Sequence, residues 1–293
     1  MKPAERKLRR TFFAPFARAT GFFVNQNIQI IRLLRGAFCI AYKSAIQKGR
    51  WQMYTESQDA YGHEIHDHHL GKPAQELVER DDGFLDISSG PQSYFAPFNK
   101  WPEYERKAIR FAEGRVLDVG CGAGRVALYL QEKGQDCVGI DVSPLAIKVC
   151  RERGVKDARV VPITRVGAQL GTFDSVVMYG NNFGLFGSKK RADWLLQKFY
   201  HITKDSGRII AETMDPYDTT DPSHLMYQKF NLRRGRMAGQ IRIRVRYKKY
   251  ETPWFDYLLV SRDEMKQLLQ GSGWKVTKFV DSGSRYIAII EKE

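Results

Sequence analysis

Arg115-Val-Leu-Asp-Val-Gly-Cys-Gly-Ala-Gly124 is a short apolar run that ends in three alternating glycines, and Arg125–Leu130 resumes with the spacing of a helix. A buried strand that turns through glycines into a helix can bring main-chain N–H groups against a ligand. The glycine spacing selects among ligands. A dinucleotide fingerprint, GxGxxG, wants Gly or Ala at position 125 so that helix and strand pack closely, and Arg125 stands there. Asp118, two residues before Gly120, would repel a pyrophosphate and favours a ligand with an ammonium group. Val138-Gly-Ile-Asp141 closes the next strand on an acid 21 residues after Gly120, a placement suited to both hydroxyls of a ribose. The ligand so described carries a ribose and an ammonium and needs no phosphate site.

An acid followed by GxGxG, with a second acid closing the next strand, resembles the class I S-adenosylmethionine-dependent methyltransferases. The resemblance covers about residues 92–293 and implies S-adenosyl-L-methionine as cofactor. By it, Asp118 and the loop Gly120, Cys121, Gly122 and Gly124 hold the methionine part, Asp141 the ribose and Val142 the adenine. Tyr94 is a further cofactor contact, on the ground that an aromatic near a sulfonium is attractive. Two departures stand out. After the third strand, where many relatives carry an acid facing the adenine amine, this chain reads Val160-Val-Pro-Ile163-Thr-Arg165, which leaves adenine to backbone groups near Ile163. After the fourth, Phe173–Asn182 lacks the Asp/Asn-Pro-Pro-Tyr/Phe motif and the Pro-Cys nucleophile of two nucleic-acid-modifying subclasses. A glycine turn in an unrelated doubly wound fold is the competing explanation of the same residues.

Methyl transfer from a sulfonium asks the protein to align an acceptor, exclude water and, for a protonated acceptor, remove a proton. The catalytic candidates are Tyr179, Asn181 and Asn182, just past the fourth strand; the asparagines serve equally as turn or cap residues. Tyr94, Phe95 and Trp101 precede the first strand and read either as site aromatics or as packing under a lid. His63, His66, His68 and His69, with Glu64 and Asp67, form the densest ionisable cluster. They match no HExxH pattern, so no metal is expected and a solvated lid edge is the reading. The general base is not identified.

The formal charge is +14, with 47 Lys and Arg against 33 Asp and Glu, which suggests a nucleic-acid partner until it is divided. Residues 1–50 hold eleven basic residues and one acid, and residues 222–250 hold nine and none, leaving −5 for the remainder. In the second segment, Gln240–Lys249, Ile241, Ile243, Val245 and Tyr247 alternate with Arg242, Arg244, Arg246 and Lys248. A strand there buries one face and displays four cations on the other. Arg242, Arg244 and Arg246 are therefore candidates for an anionic substrate, such as a carboxylate, a phosphorylated metabolite or RNA. A charged face that protects an exposed edge weighs equally.

The elements that must position these residues follow from the pattern. Apolar runs at Arg115–Val119, Cys137–Ile140, Ala158–Val161, Ser175–Met178 and Arg208–Ala211 alternate with helical stretches at Arg125–Lys133, Pro144–Arg153 and Lys190–Thr203. That alternation is βαβ, an α/β fold with a parallel sheet. Pro253–Asp256 then reads as loop, Ser261–Glu264 as a helix start, Gly273-Trp274 as turn and Tyr286–Ile290 as the last strand. With the resemblance, this predicts a Rossmann-like doubly wound, seven-stranded, mainly parallel sheet with helices on both faces, plus an N-terminal extension. The expected division is a basic extension over 1–52, a helical and loop lid over 53–113, and a methyltransferase domain over 114–293 with a substrate insert at about 215–250.

In residues 1–50, Arg32 and Arg35 interrupt the longest apolar run, so a spanning helix is not expected. A membrane-surface helix, an organelle-targeting segment and an accessory extension remain open. Four cysteines without CxxC or zinc spacing suit a reducing compartment, and a cytoplasmic location is expected. The expected function is direct methyl transfer to a small-molecule acceptor. An RNA methyltransferase and a catalytically silent cofactor-binding subunit are the alternatives.

Overall fold

The computed structural model describes residues 54–88 and 90–293. The readings of residues 1–52 lie outside them. Among the described residues no helix is long and apolar enough to cross a membrane.

The described chain opens with α1 (Ala60–His69), β1 (Leu77–Arg80), β2 (Leu85–Ile87) and α2 (Glu103–Ala108). The alternating part follows as β3 (Val116–Val119), α3 (Arg125–Glu132), β4 (Cys137–Asp141), α4 (Pro144–Glu152), β5 (Asp157–Val160), β6 (Phe173–Met178), α5 (Lys189–Ile202) and β7 (Thr203–Met214). It ends with α6 (Pro222–Arg233), β8 (Gln240–Tyr247), β9 (Tyr250–Glu251), β10 (Phe255–Leu258), α7 (Arg262–Leu269), β11 (Trp274–Ser282) and β12 (Arg285–Lys292).

The central sheet has seven strands in the order β11-β12-β7-β6-β3-β4-β5. Neighbours from β5 to β7 run parallel, while β12 is antiparallel to both β7 and β11. All four residues of β3 are buried, as are the first four of β4, which is why these strands read as unbroken apolar runs. From β3 the chain moves outward to β4 and β5, then returns to β6 on the other side of β3. Connections therefore diverge between β3 and β6, and a crevice at the carboxyl ends of these strands is where such a sheet binds its ligand.

Helix starts follow from local chemistry. Ser143 caps α4 by accepting from the Ala146 N–H at 2.9 Å, with Pro144 in the first turn, and Ser261 forms a capping box with Glu264 at α7. Three expectations need correction. The segment 53–113 is not only helix and loop, because it contains β1 and β2. Pro253–Asp256 runs into β10 rather than staying loop, and Trp274 opens β11 instead of closing a turn. In β11 only Trp274 and Val280 are buried, so the outermost strand carries too little apolar alternation to stand out.

A second sheet, ordered β10-β8-β1-β2 with β9 on β8, joins the lid to the insert. Its apolar face, through Val245 and Tyr247, packs with Ala60 of α1. The lid and the insert are thus one antiparallel unit.

Candidate functional site

The site begins on the buried end of β3. Asp118 is 2% exposed, and its Oδ2 has no hydrogen-bond partner among the described residues. Burial pushes its carboxyl up to about 7, with Arg125 opposing the rise and Asp141 adding to it. Beyond it the chain turns with Gly120 at φ 70°, Gly122 at 54° and Gly124 at 80°, all left-handed. A Cβ on Gly120 would sit 2.5 Å from Asn182 Nδ2, so this glycine is needed for close packing. Among the described residues a Cβ on Gly122 would meet only Ile65 Cδ1, in ordinary van der Waals contact at 4.0 Å, so there is room beside this glycine.

Asp141 closes β4 and braces the turn. Its Oδ2 accepts from the Gly122 N–H at 3.1 Å and its Oδ1 from the Ser143 N–H at 2.9 Å. Burial raises its carboxyl to about 6, although these N–H groups pull it down. Val142 follows it, half-buried, and Ile163 opens a single helical turn after β5. Cys121 is buried, and the Cys150 thiol together with burial holds its thiol above the ordinary range, so it packs rather than reacts.

The catalytic candidates separate. Tyr179 is buried in the core and its hydroxyl donates to the Glu105 carbonyl at 2.8 Å. Asn182 donates to the Val119 and Gly120 carbonyls at 3.0 and 3.1 Å, which fixes the glycine turn. Asn181 has a left-handed backbone (φ 62°), a buried Oδ1 without a described partner, and a carbonyl that accepts from Tyr257 Oη at 2.5 Å. Its side-chain oxygen is thus a buried acceptor without a partner among the described residues.

The lid is pinned over this end. Asp59 accepts from the Gly62 N–H of α1 at 3.0 Å and from the Leu145 N–H of α4 at 3.2 Å, while Ile65 packs with Ala123 and Tyr94. Tyr94 stands near enough to Asp141 to feel its charge, and burial above all raises its phenol far above the usual range. Tyr54 is raised likewise by burial, then by Asp141 and Asp59. On the far side, Glu212 accepts from Tyr104 Oη at 3.0 Å and from the Gly180 N–H at 2.7 Å.

Tyr54, Tyr61, Glu64, Glu76, Glu212 and Tyr257 line this end of the fold without having been singled out as its residues. A signal for one pair was present, since Tyr61, Glu64, Ile65 and His68 recur at helical spacing inside the histidine cluster. The histidines themselves disperse. His63 stacks on Tyr250, His68 tilts against Phe95 and His69 reaches Glu152 at 3.3 Å. Among the described residues no group of three His, Cys, Asp or Glu could hold a metal.

Arg242, Arg244 and Arg246 lie together on one face of β8, as the alternation predicts. Each meets an acid of a neighbouring strand: Arg242 pairs with Asp256 at 3.4 Å, Arg244 with Glu79 at 2.8 Å and Arg246 with Glu79 at 3.3 Å. Lys248 pairs with Asp67 at 2.6 Å. The strand is internal, flanked by β1 and β10, so the edge-protection reading does not apply.

Residues 116–207 match the family described as "Methyltransferase domain". An uncharacterised methyltransferase of Bacillus subtilis is 27% identical over 152 residues, 43% of this chain and 56% of that protein. A ubiquinone biosynthesis O-methyltransferase of Xanthomonas euvesicatoria is 36% identical over 96 residues, 30% of this chain and 40% of the relative. The chain thus spans about half the length of the curated relatives it matches. Among solved structures, a methyltransferase from Bacteroides fragilis in complex with S-adenosyl-L-homocysteine superposes with a TM-score of 0.70 at 28% identity, covering 82% of this chain and 98% of that one. The glycine turn between Asp118 and Asp141, the switch in strand order beside it and these likenesses agree: residues 116–207 are a methyltransferase domain, and the chain is similar in fold and sequence to an S-adenosylmethionine-dependent methyltransferase.

Proposed function

We propose that the protein transfers a methyl group from S-adenosyl-L-methionine directly to a small-molecule acceptor. The observation that carries this is the cradle itself: a buried carboxyl at Asp118 whose Oδ2 has no partner among the described residues, room beside Gly122 and a carboxylate at Asp141 braced by backbone N–H groups. The residues fit the cofactor. Asp118 and the Gly120–Gly124 turn would hold its amino-acid part, Asp141 its ribose, and Val142 and Ile163 its adenine. When bound, it supplies an activated methyl on a good leaving group.

What the chain adds is binding, orientation and exclusion of water. Asn182 holds the glycine turn, α1 closes over it, and Asn181 offers its amide to an acceptor beside Gly180. Relatives named as a ubiquinone biosynthesis O-methyltransferase and a 2-heptyl-1-hydroxyquinolin-4(1H)-one methyltransferase support a small acceptor. An anionic acceptor or RNA on the arginine face of β8 would first have to displace Glu79 and Asp256, which supports an acceptor site away from that face.

Calorimetry with S-adenosylmethionine and with NAD tests the cofactor, and a labelled-methyl assay across metabolite and RNA pools tests the acceptor. Binding of the methyl donor with label entering small molecules is expected. Tight NAD binding with no response to the donor would sink the reading.

The site also predicts a pH dependence. Asp118 at about 7 and Asp141 at about 6 are partly protonated near neutrality in the ligand-free protein, and only their charged forms attract the ammonium and take both ribose hydroxyls. Affinity for S-adenosylhomocysteine is therefore expected to fall by about tenfold or more from pH 8 to pH 6. Stability of the ligand-free protein runs the other way. Both carboxyls hold their protons more tightly folded than unfolded, so their contribution is lost as pH climbs from about 4 through these values. A flat affinity profile by titration calorimetry would contradict the assignment of these carboxyls to the ligand.

A further inference from the structure

The lid holds a buried acid pair that no basic side chain of the described residues meets. Glu64 sits on α1 and Glu76 just before β1; they are 0% and 3% exposed, and the Glu76 N–H donates to Glu64 Oε1 at 2.9 Å. Among the described residues the Oε2 of each has no hydrogen-bond partner, and no Lys, Arg or His forms an ion pair with either. Burial first, and Glu76 beside it, hold Glu64 well above the usual carboxylate range. Buried acid oxygens without a described basic partner are costly, and no contact of the fold among the described residues uses them. A glutamine at position 64 could accept the Glu76 N–H equally well.

The surroundings say what these oxygens are for. Tyr61, one turn before Glu64 on α1, and Tyr94 are both close enough to Glu76 and Tyr257 to feel them, and Tyr94 also feels Glu64 and Asp141. Tyr257 in turn donates to the Asn181 carbonyl, beside the loop after β6. The acid pair thus lies within electrostatic reach of three phenols, one of which also feels Asp141 while another is hydrogen-bonded to the loop after β6. Buried acid oxygens among tyrosine rings, with no basic side chain of the described residues bonded to them, suit an organic cation and disfavour carboxylates and phosphates.

We propose that the Glu64–Glu76 pair, with Tyr61, Tyr94 and Tyr257, binds a methyl acceptor that carries a basic amine, held as its ammonium form. This rests on the methyltransferase reading and names its substrate class.

The test uses three probes of one shape, 2-phenylethylamine, 2-phenylethanol and 3-phenylpropanoate, titrated by calorimetry at pH 7.5 into the full chain saturated with S-adenosylhomocysteine. The amine is expected to bind at least about tenfold more tightly than the alcohol, with the carboxylate weakest. Glu64→Gln and Glu76→Gln are expected to lower amine affinity by about tenfold, to leave the alcohol unchanged and to keep S-adenosylhomocysteine affinity within about twofold. Equal or tighter binding of the alcohol or carboxylate, no binding of the amine, or variants that keep the amine preference would overturn the inference. Should either variant fail to fold, the ranking of the three probes on the unaltered protein decides it. Failure of S-adenosylhomocysteine to bind at all strikes the methyltransferase reading instead.

Discussion

Asp141→Ala is expected to weaken binding of S-adenosylmethionine by about 100-fold and to lower kcat/KM for any acceptor in proportion. The carboxylate does two jobs that alanine cannot. It offers two charged acceptors to the ribose hydroxyls, each worth about 1.5–3 kcal/mol when desolvated, and losing about 2.7 kcal/mol of this is a hundredfold. It also fixes the Gly122 and Ser143 N–H groups at 3.1 and 2.9 Å, so its removal frees the turn whose open face is meant to receive the ligand. The fold should survive, because burial has already raised this carboxyl to about 6 and its removal relieves that cost. Asp141→Asn keeps one acceptor and should fall between. Calorimetry with S-adenosylhomocysteine reads the result, and an alanine variant that binds within threefold of the parent would remove Asp141 from the site. The same variant separates an enzyme from a silent cofactor-binding subunit, since the latter would keep its partner while losing the ligand.

Asp141 was legible because its signal is local. A strand, a glycine turn and a following acid lie within about thirty residues, and their spacing alone distinguishes an ammonium-bearing ligand from a pyrophosphate. The seven-stranded sheet was legible for the same reason, apart from β11, whose polar outer strand carries no clear period. What could not be read is pairing across the chain. β1 lies against β8 with Leu77 opposite Arg246, and no periodicity in either segment announces the other. The arginine alternation is plain in the sequence, but the acids that neutralise it sit on partner strands, and only strand pairing brings them together. Glu64 was hidden differently. It was noted among histidines as part of a solvated edge, and only the packing of α1 over the glycine turn shows that it faces inward while His69 and Leu70 remain outside.

Arg125 began as the residue that spoils a dinucleotide fingerprint, and the structure gives it a task of its own. Its guanidinium reaches both oxygens of Glu105, at 2.7 and 3.0 Å, and lies 4.7 Å from the centre of the Trp101 ring. Their side chains are 11% and 6% exposed, so this is a buried bidentate pair that ties α3 to α2 beneath the site. Arg125→Ala strands the Glu105 charge and is expected to cost about 3–5 kcal/mol of unfolding free energy, a fall of about 10 °C in Tm for a domain of this size. Lysine cannot reproduce the fork and should recover only part. Combining Arg125→Ala with Glu105→Gln should recover more than lysine does, because it removes the orphaned charge rather than replacing one donor. The pair also bears on the ligand: Arg125 opposes the rise of the Asp118 carboxyl more than the Ala127 N–H does, so its loss should move the pH profile of S-adenosylhomocysteine binding upward. Urea denaturation and that profile are independent readouts. A loss of under 1 kcal/mol with an unmoved profile would mean that the pair neither holds the two helices together nor tunes the acid at the head of the glycine turn.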